Sequence, residues 1–138
     1  MKTAAINQTI RHLYEGEHID PGMPLAKSVG FYDPLVIVRS HVSVMRMFRK
    51  LNRFFPHSQL KTFAPLNDGG IYRFETSMHY IRRPDAKPTI FNSIMEVEVT
   101  DQKISKIVEH WTSPMRLNGD SQNAISQMVR GGLGRLLS

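Results

Sequence analysis

One carboxylate, Asp33, stands in the otherwise apolar stretch SVGFYDPLVIV that runs from Ser28 to Val38. An acid in such a place can do one of two jobs. Ahead of Pro34 it can hold a turn through hydrogen bonds to nearby backbone. At the mouth of an apolar pocket it is poorly solvated, its basicity rises, and it can take a proton from a C–H bond beside a carbonyl. Other ways of building a reactive site find little support. The chain has no cysteine, which excludes a thiolate nucleophile, a disulfide framework and a thiolate metal site. Its six histidines show no metal-type spacing. His41, His79 and His110 read as surface or rim residues. The glycine-rich RGGLGR near the C-terminus lacks the preceding strand that a phosphate-binding loop needs, and no serine sits in a nucleophile elbow.

The elements around Asp33 can be read from periodicity. Residues 3 to 15 place Ala5, Ile6, Ile10, Leu13 and Tyr14 on one helical face, with Gly16 as a stop. Asp20-Pro21-Gly22 turns the chain. FYDPLVIV is rich in strand formers, and Pro34 makes it a short edge strand bent or ended at Asp33-Pro34. From Ser40 or Ser43, either a suitable N-cap, Val44, Met47, Phe48, Leu51, Phe54 and Phe55 follow a helical repeat that Pro56 ends. Beyond Pro56 the period falls to about 2, which predicts strands. SQLKTFAPL, IYRFETSMHYIRR, TIFNSIMEVEV and KISKIVEHWTSP follow one another across the turns NDGG, PDAKP and TDQ as an antiparallel meander. Residues 118–138 form a tail, partly helical, outside a single domain at 1–117.

Composition bounds the remaining choices. A chain of 138 residues suits one core, and no apolar run nears the roughly 20 residues of a membrane span. The polar N-terminus does not resemble a secretory signal, so a soluble, cytoplasmic protein without membrane association is expected. Eighteen Lys and Arg against twelve Asp and Glu give a net charge of +6, with Arg46, Arg49, Lys50 and Arg53 on one face of the second helix. Such faces are ordinarily just solvated and no stacking aromatics accompany this one, so nucleic acid is not the expected partner.

Helices followed by a meander describe an α+β domain, a cone-shaped curved antiparallel sheet covered by the N-terminal helices. FYDP, the amphipathic helix after it, the strand YRFETSMHY and the hairpin EVTDQKISKIVEHW resemble the nuclear transport factor 2-like superfamily over about residues 28 to 115, in particular its ketosteroid isomerase and SnoaL-like polyketide cyclase branch. The resemblance implies an α+β barrel with an apolar pocket. It makes Asp33 the general base, because the isomerases carry an Asp-Pro at this place. Tyr14 is the candidate for their tyrosine donor. Met95 falls where they carry a protonated aspartic acid, and methionine cannot donate a hydrogen bond. The alignment also turns Glu109 and Trp111 toward the pocket, Glu109 as a second acid or base, whereas Ile104 and Val108 argue by periodicity for the opposite face. The expected ligand is a small hydrophobic molecule, held by Phe31, Tyr72, Phe74, Met78, Phe91, Met95 and Trp111. No cofactor or metal is implied. Ile90 and Ile94 make the outer sheet face more apolar than a wet face needs, which predicts a homodimer through that face.

Overall fold

Helices form where the apolar spacing is helical. In the computed structural model, which describes residues 1–17, 19–66 and 72–112, α1 (Thr3–Glu15) buries Ile6, Ile10, Leu13 and Tyr14. It ends at Gly16, whose φ of 76° is a left-handed cap suited to glycine; an added Cβ there would lie 2.8 Å from the Asn52 side chain. α2 (His41–Phe54) buries Val44, Met45, Met47 and Phe48. Ser40, not Ser43, is its N-cap, accepting from the Ser43 N–H at 3.2 Å. The expected tail at 118–138 and the NDGG turn lie outside the described residues.

Six strands follow the alternating segments: β1 (Leu25–Tyr32), β2 (Ile37–Arg39), β3 (Gln59–Pro65), β4 (Tyr72–Tyr80), β5 (Thr89–Thr100) and β6 (Lys103–Trp111), in the sheet order β2-β1-β6-β5-β4-β3. The meander from β3 to β6 is antiparallel as its short turns require. Two details differ from the sequence reading. The strand that opens FYDPLVIV ends at Asp33-Pro34 as expected, but it is not an edge strand. Its first half ends β1, Asp33-Pro34 makes a turn, and Ile37 returns opposite Tyr32 as the start of β2. Pro34 therefore sits where its missing N–H costs nothing, and β2 rather than β1 forms the edge. β1 instead pairs in parallel with the last strand, β6, so the sheet is mixed and open rather than wholly antiparallel or closed into a barrel.

The helices cover one face of this sheet, α1 against β3 and α2 against β1 and β2, and they also touch each other. Their apolar sides meet Phe31, Phe74, Met78, Met95, Val97 and Ile107 in a single core. Backbone at the sheet edge fixes α1 in place. Leu60 donates its N–H to Glu15 at 3.0 Å and its carbonyl accepts from Arg11 at 2.9 Å, so one turn of helix satisfies both polar groups of a residue at a bulge in β3. The Asn52 amide donates to the Leu13 carbonyl at 3.0 Å and ties the same turn of α1 to α2. These contacts set the position of Tyr14. No described helix is long and apolar enough to cross a membrane.

Candidate active site

The direction of Glu109 is decided by a bulge. Periodicity alone sets Ile104 and Ile107 on opposite faces of β6, yet both are fully buried. The β5–β6 register slips between Glu98 and Val99, which places Ile104 opposite Val99 and Ile107 opposite Val97. Past the bulge, Glu109 lies opposite Met95, and Met95 opposite Phe74, so the three share the inner face beneath the helices. Trp111 lies opposite Ser93 on that same face.

Three acidic or phenolic groups meet there. The Tyr14 hydroxyl donates to Glu109 Oε1 at 2.5 Å, linking α1 to the last strand. Burial raises the Glu109 carboxyl to about 7, and the nearby Asp33 charge adds to that effect; the bond from Tyr14 and the neighbouring Trp111 N–H act against it. Glu109 keeps part of its surface accessible, while the protein packed around its carboxylate is dense enough to remove most of its water. Burial likewise holds the Tyr14 phenol well above its ordinary value, helped by Glu109.

Asp33 performs the turn role and leaves room for another. Its Oδ1 accepts from the Leu35 and Val36 N–H groups, both at 2.8 Å, an Asx turn that closes the β1–β2 hairpin. Oδ2 takes no hydrogen bond among the described residues. Partial burial raises the carboxyl, and the two backbone donors offset part of that rise. Its charge is felt at Glu109, Tyr14 and Tyr80, which puts all four groups in one electrostatic neighbourhood.

Aromatic rings cluster around these groups. Phe91 packs edge-on against Trp111 with centroids 5.0 Å apart and against Tyr80 at 5.3 Å, and Tyr80 in turn meets Phe55 at 5.3 Å. On the helical side, Phe48 lies 5.0 Å from Tyr14 and 5.4 Å from Phe31. The Trp111 indole N–H faces Glu109 closely enough to favour its ionised form, yet falls short of a formed bond and is a buried donor without a partner. The Thr89 hydroxyl, directly opposite Tyr80, is buried without a partner as well. Buried polar groups are nearly always satisfied, so two such groups at one end of a sheet are unusual.

Of the residues named from sequence, Asp33, Glu109, Tyr14, Phe31, Phe91, Met95 and Trp111 fall at or beside this end. Met95 is fully buried opposite Glu109 and offers no donor. Phe74 and Met78 are core residues, 1% and 2% exposed, and Phe74 stacks on Phe63 at 4.2 Å. Tyr72 lies at the other end of β4, roughly 26 Å along the strand from Tyr80, and donates its hydroxyl to the Met1 carbonyl at 2.9 Å. Tyr80, Phe55 and Phe48 were not singled out as site residues by sequence. In the sequence, Tyr80 is the last residue of the alternating face Tyr72, Phe74, Thr76, Met78 and Tyr80, and the helical repeat of α2 assigns its rings to the core. Two surface grooves of about 550 and 530 Å³ lie along α1 instead, the first lined by residues such as Arg11, Glu15, His57 and Lys61, and neither includes Asp33 or Glu109.

Solved structures share this architecture. An NTF2-like protein from Anabaena variabilis matches at a TM-score of 0.62 with 13% identity, over 83% of this chain and 92% of that one. The chain has the NTF2-like fold. An Agrobacterium tumefaciens protein described as a candidate isomerase of the SnoaL-like family matches this chain at 0.59 with 19% identity, over 80% of this chain and 97% of the other. SalBIII, an epoxide hydrolase/cyclase-like enzyme with a role in pyran ring formation in the polyether salinomycin, matches at 0.59 with 15% identity, over 79% and 88%. No family model and no curated protein matches the sequence.

Proposed function

We propose that this NTF2-like chain binds a small hydrophobic carbonyl compound between Asp33 and Glu109 and moves protons on it, in a reaction of the isomerase, cyclase or dehydratase type. The observation that carries this reading is the 2.5 Å Tyr14–Glu109 bond beside Asp33, with Glu109 held near 7. Two carboxyls whose environments differ are what acid–base catalysis needs. Asp33, fixed through Oδ1, offers Oδ2 as the base that removes a proton from carbon. Glu109 titrates near neutrality and, in its protonated form, donates to the oxygen on which charge develops. That supplies the donor which Met95 cannot. Tyr14 holds Glu109 in place and orients it. The structural neighbours described as isomerase- and cyclase-like fit this chemistry.

The test is activity of the wild type, Asp33→Asn and Glu109→Gln on a panel of ketosteroid and polyketide-like ketones. Rates should fall by about 10²- to 10⁴-fold in each variant, with ligand affinity retained. One observation favours a second reading, a noncatalytic binding module of the same fold: the Asx turn gives Asp33 a structural task that needs no chemistry. Ligand binding without turnover in either wild type or Asp33→Asn would select it. A homodimer through the outer sheet face is supported by Ile90, 38% exposed on that face, with Ile94 half-buried along the same strand. Sedimentation of wild type against Ile90→Lys tests it, with dissociation expected in the variant.

A further inference from the structure

The net charge of +6 has one source. From Pro34 to Asn67 the sequence holds six Lys and Arg and no Asp or Glu, so the rest of the chain is neutral. Four of those cations are Arg46, Arg49, Lys50 and Arg53 on α2, spaced to share its outer side, and Arg46, Arg49 and Arg53 are exposed. None of the four has an ion-pair partner among the described residues. A solvated helix face usually mixes both signs; this one carries a single sign.

The same segment carries three of the four large apolar side chains exposed among the described residues. Leu35 is 46% exposed, Ile37 48% and Val42 63%. Ile37, opposite Tyr32, points to the sheet face away from the helices, whereas Leu35 lies in the turn of the hairpin that feeds α2, and Val42 lies in the first turn of α2, four residues before Arg46 on the same side of the helix. Apolar side chains at one end of an unpaired cationic stripe match the chemistry of an anionic bilayer, in which headgroup phosphates meet the cations and acyl chains receive the apolar groups. Nucleic acid fits less well, since the outer side of α2, with Val42 among its cations, carries no ring for a base to stack on.

We propose that the β1–β2 hairpin and the outer side of α2 form a peripheral docking surface for anionic lipid bilayers. This departs from the sequence expectation of no membrane association, because the lack of a spanning helix bears only on crossing the bilayer. The surface does not depend on the acid–base reading. It does adjoin that site, because Leu35 is two residues from Asp33 and donates its N–H to it; a lipophilic ligand held in the bilayer would meet the protein beside Asp33.

Cosedimentation with vesicles of phosphatidylcholine alone, and of phosphatidylcholine with phosphatidylglycerol, tests the proposal on the full chain. The protein should sediment with the anionic vesicles and not with the neutral ones. Arg46→Gln and Arg49→Gln should each cost about fivefold in affinity. Leu35→Ser with Val42→Ser should reduce the fraction that stays bound as salt is raised. Circular dichroism checks that these surface variants fold. Two results would overturn the proposal: no preference for anionic vesicles, or equal binding to heparin and duplex DNA that ignores Leu35 and Val42, which would mark a general polyanion surface.

Discussion

The two ends of the inner sheet face are built for different purposes. At one end Val97 and Ile107 are fully buried in the row that begins at Tyr72, whose hydroxyl is bonded to Met1, and the next row, Phe74 and Met95, leads across to Glu109. At the other, Tyr80, Phe91 and Trp111 stand partly open, two buried polar groups lack partners, and two carboxyls sit close enough to oppose each other. One sheet supplies both, so the contrast comes from which side chains the strands carry. The packed end stabilises the fold, and the other end holds groups in states that isolated side chains avoid. Sites of chemistry are commonly the places where a fold gives up local stability.

Substitutions can break that contrast. The largest effect on stability is expected in the packed core: Phe74→Ala removes a ring that is 1% exposed and should destabilise by about 3–5 kcal/mol, read as a loss in denaturant midpoint. A Phe74→Ala protein as stable as wild type would show that this ring is not part of the core.

At the open end, Glu109→Gln should do the reverse. The folded-state value near 7 lies above the ordinary 4.5, so the folded protein holds this proton more tightly than the unfolded chain. The stability this gives is complete below pH 4.5 and is lost as pH rises toward 7. Glu109→Gln, which still accepts from Tyr14, should be free of that loss, and above pH 7 should exceed wild type by on the order of 3 kcal/mol. Equal pH slopes in urea unfolding of the two proteins would refute the assignment.

Smaller effects sharpen the picture. Tyr14→Phe removes a donor that favours the charged carboxylate, so the Glu109 midpoint should move further up, visible in carboxyl NMR titration, with a stability loss of about 1.5–3 kcal/mol where Glu109 is charged. Asp33→Asn keeps an oxygen that can accept from Leu35 and Val36, whereas Asp33→Ala does not; thermal melts should separate them by about 1 kcal/mol in favour of Asn. Tyr72→Phe, at the packed end but on its rim, should cost about 1 kcal/mol or less and leave the Glu109 titration unchanged.

The sequence by itself determined the elements whose cause is local. α1 runs from Thr3 to Glu15 and stops at Gly16 because side-chain spacing and a left-handed cap are properties of neighbouring residues. The same holds for α2 before Pro56 and for the strands of the meander, whose period of two survives in β4 from Tyr72 to Tyr80. The turn at Asp33-Pro34 was also legible, since Asp ahead of Pro in an apolar run is a local turn signal.

Only the tertiary structure decided what depends on pairing. Nothing near Tyr32 announces that β1 will lie parallel to the final strand, or that the chain past Asp33-Pro34 returns to pair with β1 as a hairpin. Nor could periodicity orient Glu109, because a bulge resets the alternation between Ile104 and Ile107 and its only sign in the sequence is an ambiguous pattern. The link from Tyr14 to Glu109 spans 95 residues, and it exists because Leu60 and Asn52 hold the end of α1 over β6. Local spacing sets which face a residue prefers, and long-range registry sets what that face meets.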